Sequence, residues 1–159
     1  MLTPREVRAA LPHRYPMLLV DRVLETGEDS IRAVKSVTLN EPWYARLGPN
    51  PSPEDLGYPD FLLIESWTQT AGLLATRLRG GEAEKQVMLF GSMSDVSFHG
   101  RVMPGHTLEQ HVRLERAVGD TMIFTGRSTV DGEPVLTVGA ATVAFRPGEA
   151  LRPDGPPAS

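Results

Sequence analysis

Residues 60–79 read DFLLIESWTQTAGLLATRLR, and Gly80-Gly81 follows. Phe61, Ile64, Thr68, Ala71 and Ala75 recur at three- and four-residue spacing, the period of a helix face, and a glycine pair stops such a helix. Leu62, Leu63, Trp67, Leu73 and Leu74 carry the apolar character round to other faces, which predicts a buried helix. Everything after it reads as strand: Gln86 to Phe98, Thr107 to Ala117, Thr121 to Val130 and Val135 to Phe145. Gly119-Asp120 and Asp131-Gly132 separate the last three segments, and the second pair is a hairpin signal. Leu108, Val112 and Leu114 alternate with Glu109, His111, Arg113 and Glu115, giving one buried and one wet face. One long apolar helix followed by an antiparallel meander predicts an α+β fold, a curved sheet wrapped around a central helix.

Upstream, Thr3-Pro4-Arg5-Glu6 starts a short helix: Thr3 caps, Pro4 suits the first position and Glu6 completes a capping box. Pro12 ends it by Leu11. Strands are expected over Met17 to Glu25 and Ser30 to Thr38, joined by Thr26-Gly27-Glu28-Asp29. Residues 40–59 hold prolines at 42, 49, 51, 53 and 59 and are expected to be irregular. Residues 1–146 form one domain; from Arg146 to Ser159 the chain carries four prolines, and 147–159 are expected to be a disordered tail.

Composition removes several classes of function. There is no cysteine, so disulfides, thiolate metal sites and a cysteine nucleophile are excluded. A formal charge of −4 with no basic run argues against nucleic acid. No stretch approaches the roughly 20 apolar residues that span a bilayer, and no basic segment leads into an apolar core at the start, so a cytoplasmic location is expected.

Glu65 is the first candidate for chemistry. It lies between Ile64 and Trp67 on an apolar helix, where a carboxylate is costly unless it turns outward, pairs with an arginine, or is used. Apolar surroundings favour the protonated form that a general acid needs.

Leu11 to Leu24, LPHRYPMLLVDRVL, resembles the N-terminal signature of the FabZ-type 3-hydroxyacyl-acyl-carrier-protein dehydratases, which have the hot-dog fold. Asn40-Glu41-Pro42, Leu62-Leu63-Ile64-Glu65, Ala71-Gly72, Phe98 and Val102-Met103-Pro104-Gly105 carry the same resemblance in the same order. It implies that Glu65 is the catalytic carboxylate, which handles the departing hydroxyl. It also implies a second catalytic group, a histidine within Gly-His-Phe-Pro-Gly upstream of the helix. The corresponding stretch here, Pro42-Trp43-Tyr44-Ala45-Arg46-Leu47-Gly48-Pro49-Asn50, is followed by a longer approach to the helix and contains no histidine.

The remaining assignments follow from that resemblance. His13, in the turn, is read as structural; His99 and His106 flank Val102–Gly105, and His111 lies on a wet face. Asp60 stands where relatives carry the glycine whose amide meets the thioester oxygen, so the helix start at Asp60 and Phe61 is the expected oxyanion site. Asp60 itself reads as the helix N-cap. Asp55, with Glu54 and Asp60, or His99 is a substitute base. Trp67, Thr68 and Gln69, with Trp43, are expected to line an acyl tunnel, and Arg77, Arg79 and Arg101 to meet an acidic acyl carrier protein or only solvent. Elimination of water needs no metal and no redox cofactor. In the family the histidine and glutamate come from different subunits. The expectation is a composite site in which Glu65 serves a histidine-bearing homologous subunit, forming trans-2-enoyl thioesters in fatty-acid or polyketide synthesis. A self-sufficient homodimer, an acyl thioesterase and a non-catalytic acyl-binding subunit are the alternatives.

Overall fold

The computed structural model describes residues 1–81 and 86–147. A short helix α1 (Pro4–Ala10) precedes strands β1 (Arg22–Thr26) and β2 (Ser30–Ser36), a 3-10 turn over Pro42–Arg46, and helix α2 (Asp60–Arg79). Four long strands complete the chain: β3 (Gln86–Phe98), β4 (Thr107–Val118), β5 (Thr121–Val130) and β6 (Glu133–Pro147). The strands form one antiparallel sheet in the order β1-β2-β4-β5-β6-β3. The expected α+β architecture is present, with α2 packed against β2, β4, β5 and β6.

Local chemistry explains most boundaries. The Thr3 side chain accepts from the Glu6 amide while the Glu6 carboxylate accepts from the Thr3 amide, so the capping box of α1 is complete. α2 runs the length that its spacing predicts and stops at Gly80, whose φ of +59° an L side chain adopts only with strain. Asp131 and Gly132 both take positive φ, the requirement of the tight hairpin between β5 and β6. From Ser66 to Ala75 every residue of α2 is buried. Leu63, Trp67 and Leu74 meet Leu108, Phe124 and Val143 of the sheet in one continuous core. Burial of each such side chain contributes about 1.5–3 kcal/mol.

Three expectations need correction. The first strand begins at Arg22 rather than Met17, because the backbone of Met17 and Leu19 is engaged by side chains of α2 instead of a neighbouring strand. The 40–59 segment holds the 3-10 turn, and the buried Tyr44 donates from its hydroxyl to Leu56 O at 2.9 Å. Phe61, counted in the buried stripe, is 57% exposed. The proposed tail, 147–159, lies outside the described residues apart from the backbone of Pro147. Among the described residues, no helix is long and apolar enough to cross a membrane.

β1 and β3 are the two edges of the sheet, and β3 is the longer. It pairs only with β6, and Val87, Leu89, Phe90 and Phe98 are each about two-fifths exposed. A thirteen-residue edge strand with exposed apolar side chains is a template for pairing with another chain.

Candidate active site

Glu65 stands on the second turn of α2, and two groups converge on one of its oxygens. Gln69, one turn further on the same face, donates from Nε2 to Glu65 Oε1 at 2.8 Å. His13 Nε2 lies 3.3 Å from the same oxygen, a contact slightly longer than a normal N–H···O bond. The carboxylate is about one-third exposed and the imidazole slightly less, so the pair sits at the protein surface with its back to the core.

Gln69 is itself fixed by the backbone. Its Oε1 accepts from Leu19 N at 2.8 Å, and its Nε2 donates to Met17 O at 2.6 Å. A backbone amide only donates and a carbonyl only accepts, so the amide orientation of Gln69 follows from its partners. Ser66 extends the same fastening by donating to Leu19 O at 2.7 Å. Gln110 of β4 donates to Ser66 Oγ at 2.7 Å, and Ser128 of β5 donates to Gln110 Oε1. Ser66, Gln110 and Ser128 are fully buried, so this chain of hydrogen bonds joins turn, helix and sheet without stranding its members.

The turn that carries His13 is folded by Arg14, which donates to Leu11 O at 2.7 Å and to His13 O at 2.6 Å. The Tyr15–Pro16 peptide within it is cis. On the imidazole, Nδ1 is buried and has no hydrogen-bond partner. Nδ1 is therefore unsatisfied in either tautomer, and the tautomer is decided at Nε2. Oε1 already accepts from Gln69, so an Nε2–H facing that oxygen is the consistent tautomer.

Beside the helix start is a cavity of about 750 Å³ walled in part by Met17, Trp43, Leu47, Tyr58 and Phe61. Trp43 and Phe61 meet edge to face with centroids 5.6 Å apart. Lys35 and Glu41 pair at 2.6 Å where both are nearly buried, which pins the start of the segment that forms the cavity. Burial pushes the Tyr58 hydroxyl far above the usual tyrosine range, with Glu41 and Tyr44 adding to the effect.

The other candidate residues are distributed as follows. Asp60 is exposed and opens α2, but it is not the N-cap: Pro59 takes that position in extended conformation, and no side chain caps the helix. Leu62 N and Leu63 N bond to Pro59 O, leaving the Asp60 and Phe61 amides at the helix start, where helices lack internal acceptors. Asp55 accepts from Ser52 N at 2.8 Å and from Ser52 Oγ at 2.7 Å, which holds its carboxyl below the usual carboxylate range. His99 contacts Thr137 Oγ1 at 2.9 Å, and His106 accepts at Nδ1 from Met103 N at 3.2 Å. Thr68 donates to Glu65 O at 2.9 Å, and Trp67 donates across the core to His111 O at 3.3 Å. Neither they nor Gln69 belong to the walls of the 750 Å³ cavity. Arg77 reaches Glu28 O at 3.4 Å, Arg79 pairs with Asp120 at 2.8 Å, and Arg101 approaches Glu54 at 3.9 Å.

His13, read as a structural turn residue, is therefore in contact with Glu65. It was missed because 52 positions separate the two in the chain and no local spacing links them. The Ser66–Gln110–Ser128 connection was missed for the same reason.

Comparison with known proteins shows the family. The family model of the FabA-like domain matches residues 11–139. A 3-hydroxyacyl-[acyl-carrier-protein] dehydratase FabZ of Streptococcus equi subsp. zooepidemicus is 36% identical over 145 residues, 91% of this chain and 99% of the relative. One from Streptococcus pyogenes is 40% identical over 129 residues, 81% of this chain and 88% of the relative. In shape, the chain is similar to the dehydratase heterocomplex ApeI:P of Xenorhabdus doucetiae (TM-score 0.73, 17% identity, 91% of this chain and 93% of that one). It is also similar to a thioesterase of Pseudomonas aeruginosa (TM-score 0.66, 12% identity, 91% and 94% covered). With the helix, the sheet order and the extent of the match all in agreement, this chain belongs to the FabA-like domain family, on a hot-dog fold.

Proposed function

We propose that this chain is a subunit of a 3-hydroxyacyl-acyl-carrier-protein dehydratase and that Glu65 is its acid. The observation that carries the reading is the setting of that carboxyl group: one-third exposed, at the start of the buried stretch of α2, with one oxygen held by Gln69 and faced by His13. In the reaction a base removes the proton next to the thioester carbonyl. The electron pair forms the C2–C3 double bond, and the C3 hydroxyl leaves as water with the proton that Glu65 gives it. Nothing is oxidised or reduced, and the product is a trans-2-enoyl thioester. Substrate thioester oxygen meets the amides of Asp60 and Phe61 at the start of α2, where the helix dipole favours a developing negative charge.

The base comes from a homologous subunit that keeps its histidine and joins this chain along β3. Supporting this, the chain's four histidines are otherwise engaged: His13 faces Glu65, His99 meets Thr137, His106 accepts from Met103, and His111 pairs with Glu109 at 3.1 Å on the outer sheet face. The open β3 edge is where such a subunit would add. The fold neighbour described as a dehydratase heterocomplex is consistent with pairing of this kind. The carrier protein docks near the exposed Arg101 and Arg77, and the enzyme works in the cytoplasm.

The test is to purify the chain alone and with a histidine-bearing homologue, supply a 3-hydroxyacyl carrier protein, and follow the enoyl product. Activity is expected only in the complex, with Glu65→Gln lowering it by about 10²–10⁴-fold. Efficient dehydration by the chain alone would refute the composite site. Release of free acid and thiol would identify a thioesterase instead.

A further inference from the structure

We infer that His13 is a positioning residue for Glu65: its imidazole, 3.3 Å from Oε1, and the Gln69 amide bonded to the same oxygen hold that side of the carboxyl group, so that Oε2 is the oxygen that carries the proton to the substrate. The inference rests on the reading of Glu65 as the acid and adds which oxygen acts and what selects it. Gln69 has one possible orientation, set by Met17 O and Leu19 N, and therefore presents an N–H to Oε1 at 2.8 Å. His13 presents its Nε2 to the same oxygen at 3.3 Å. The Gln69 hydrogen bond and the imidazole beside it both engage Oε1, which leaves the other oxygen to hold the acidic hydrogen.

The same geometry decides what His13 does not do. A general base needs an accessible lone pair. With the hydrogen on Nε2, the remaining pair is on Nδ1, which is buried and has no partner. No proton enters or leaves there without opening the turn, and Arg14 ties that turn to two of its own carbonyls. His13 therefore acts through Glu65 and not on the substrate. The base is a group other than His13.

His13→Ala and His13→Gln separate positioning from structure, because the Gln amide nitrogen reaches the place of Nε2 and donates as it does. In the complex, His13→Ala should lower kcat by roughly 10–100-fold, the loss expected from a misplaced acid, with KM changed much less. His13→Gln should recover most of the loss. A second readout needs no turnover. With ¹³C-carboxyl glutamate, the infrared carboxyl band that disappears in Glu65→Gln should shift in His13→Ala and return in His13→Gln. Thermal unfolding confirms that both variants fold. A band unmoved in a folded His13→Ala protein overturns the inference even if kcat falls, as does a His13→Gln variant no better than His13→Ala. A wild-type complex that makes no enoyl product refutes the dehydratase reading instead, and the band still decides whether His13 holds Glu65.

Discussion

Replacing Gln69 with leucine tests whether the site is fastened as described. Leucine keeps the size and the helix propensity but removes three hydrogen bonds: Leu19 N to Oε1, Nε2 to Met17 O, and Nε2 to Glu65. Leu19 is 3% exposed, so its amide is left buried without an acceptor, at a cost of about 1–3 kcal/mol. Met17 is 40% exposed and its carbonyl can turn to water, so that loss is a net hydrogen bond, about 0.5–1.5 kcal/mol. The sum is about 1.5–4.5 kcal/mol. At roughly 2–4 °C per kcal/mol for a domain of this size, Tm should fall by about 3–18 °C. Released from one of its two holders, Glu65 should also lose roughly 10–100-fold in kcat. Thermal unfolding of the isolated chain and turnover of the complex read the two effects separately. A Tm within a degree or two of wild type would mean that the Met17–Leu19 backbone is not held by Gln69, and the account of both the late strand start and the fixed carboxylate would fail.

Gly126→Ala should be among the most disruptive single-methyl changes: its Cβ would sit 1.9 Å from His111 O and 3.2 Å from Trp67 Nε1, so β4 and β5 must part and the tryptophan bond is lost. Overpacking against backbone costs about 1–3 kcal/mol or more, read as a fall in denaturation midpoint at unchanged m-value. His111 has its pKa lowered, first by burial and then by Arg127 and Arg32, with Glu109 acting the other way. The folded chain thus binds fewer protons than the unfolded one just below pH 6.5, and stability falls as pH drops through that window. His111→Gln should flatten the change in Tm between pH 7.5 and 5.5; an equal slope in both proteins would refute it. Leu89→Lys, placed on the open β3 edge where Leu89 is already 38% exposed, should leave the monomer's Tm nearly unchanged and weaken association tenfold or more by sedimentation.

Where local rules act alone, sequence and structure agree. The spacing in Asp60–Arg79, the stop at Gly80 and the hairpin at Asp131-Gly132 depend on neighbours a few positions away, and each element lies where expected. Met17-Leu18-Leu19-Val20 is as strand-like as any run in the chain, yet it is not strand, because Gln69 and Ser66 reach it from about 50 positions later. No window of adjacent residues contains that information. Phe61 shares the period of the buried stripe but is set on the first turn, beyond the core, where Trp43 covers only its edge. Glu65 was legible as an oddity, a charge on an apolar helix. Its partner was not, since His13 is identified only by where the turn comes to rest.

Glu65, Ser66, Thr68, Gln69 and Thr70 place five polar side chains within two turns of a helix that is otherwise the apolar centre of the domain, and Thr68 donates to Glu65 O at 2.9 Å. Each buried one has a definite partner: Ser66 and Gln69 take the backbone of residues 17–19, and Thr70 donates to Ser66 O at 3.1 Å. Substituting apolar residues of equal volume would spare the desolvation of these groups but would free the turn that carries His13. The turn contributes no strand pairing between Met17 and Val20, so side-chain hydrogen bonds, together with the burial of Leu11, Leu19 and Val20, hold it against α2. The polar groups inside this helix are therefore the mechanical support of the carboxylate on its surface. That support is complete within one chain, since every group in it, from Ser128 and Gln110 through Ser66 and Gln69 to the backbone of Met17 and Leu19, is fixed by a partner of the same chain.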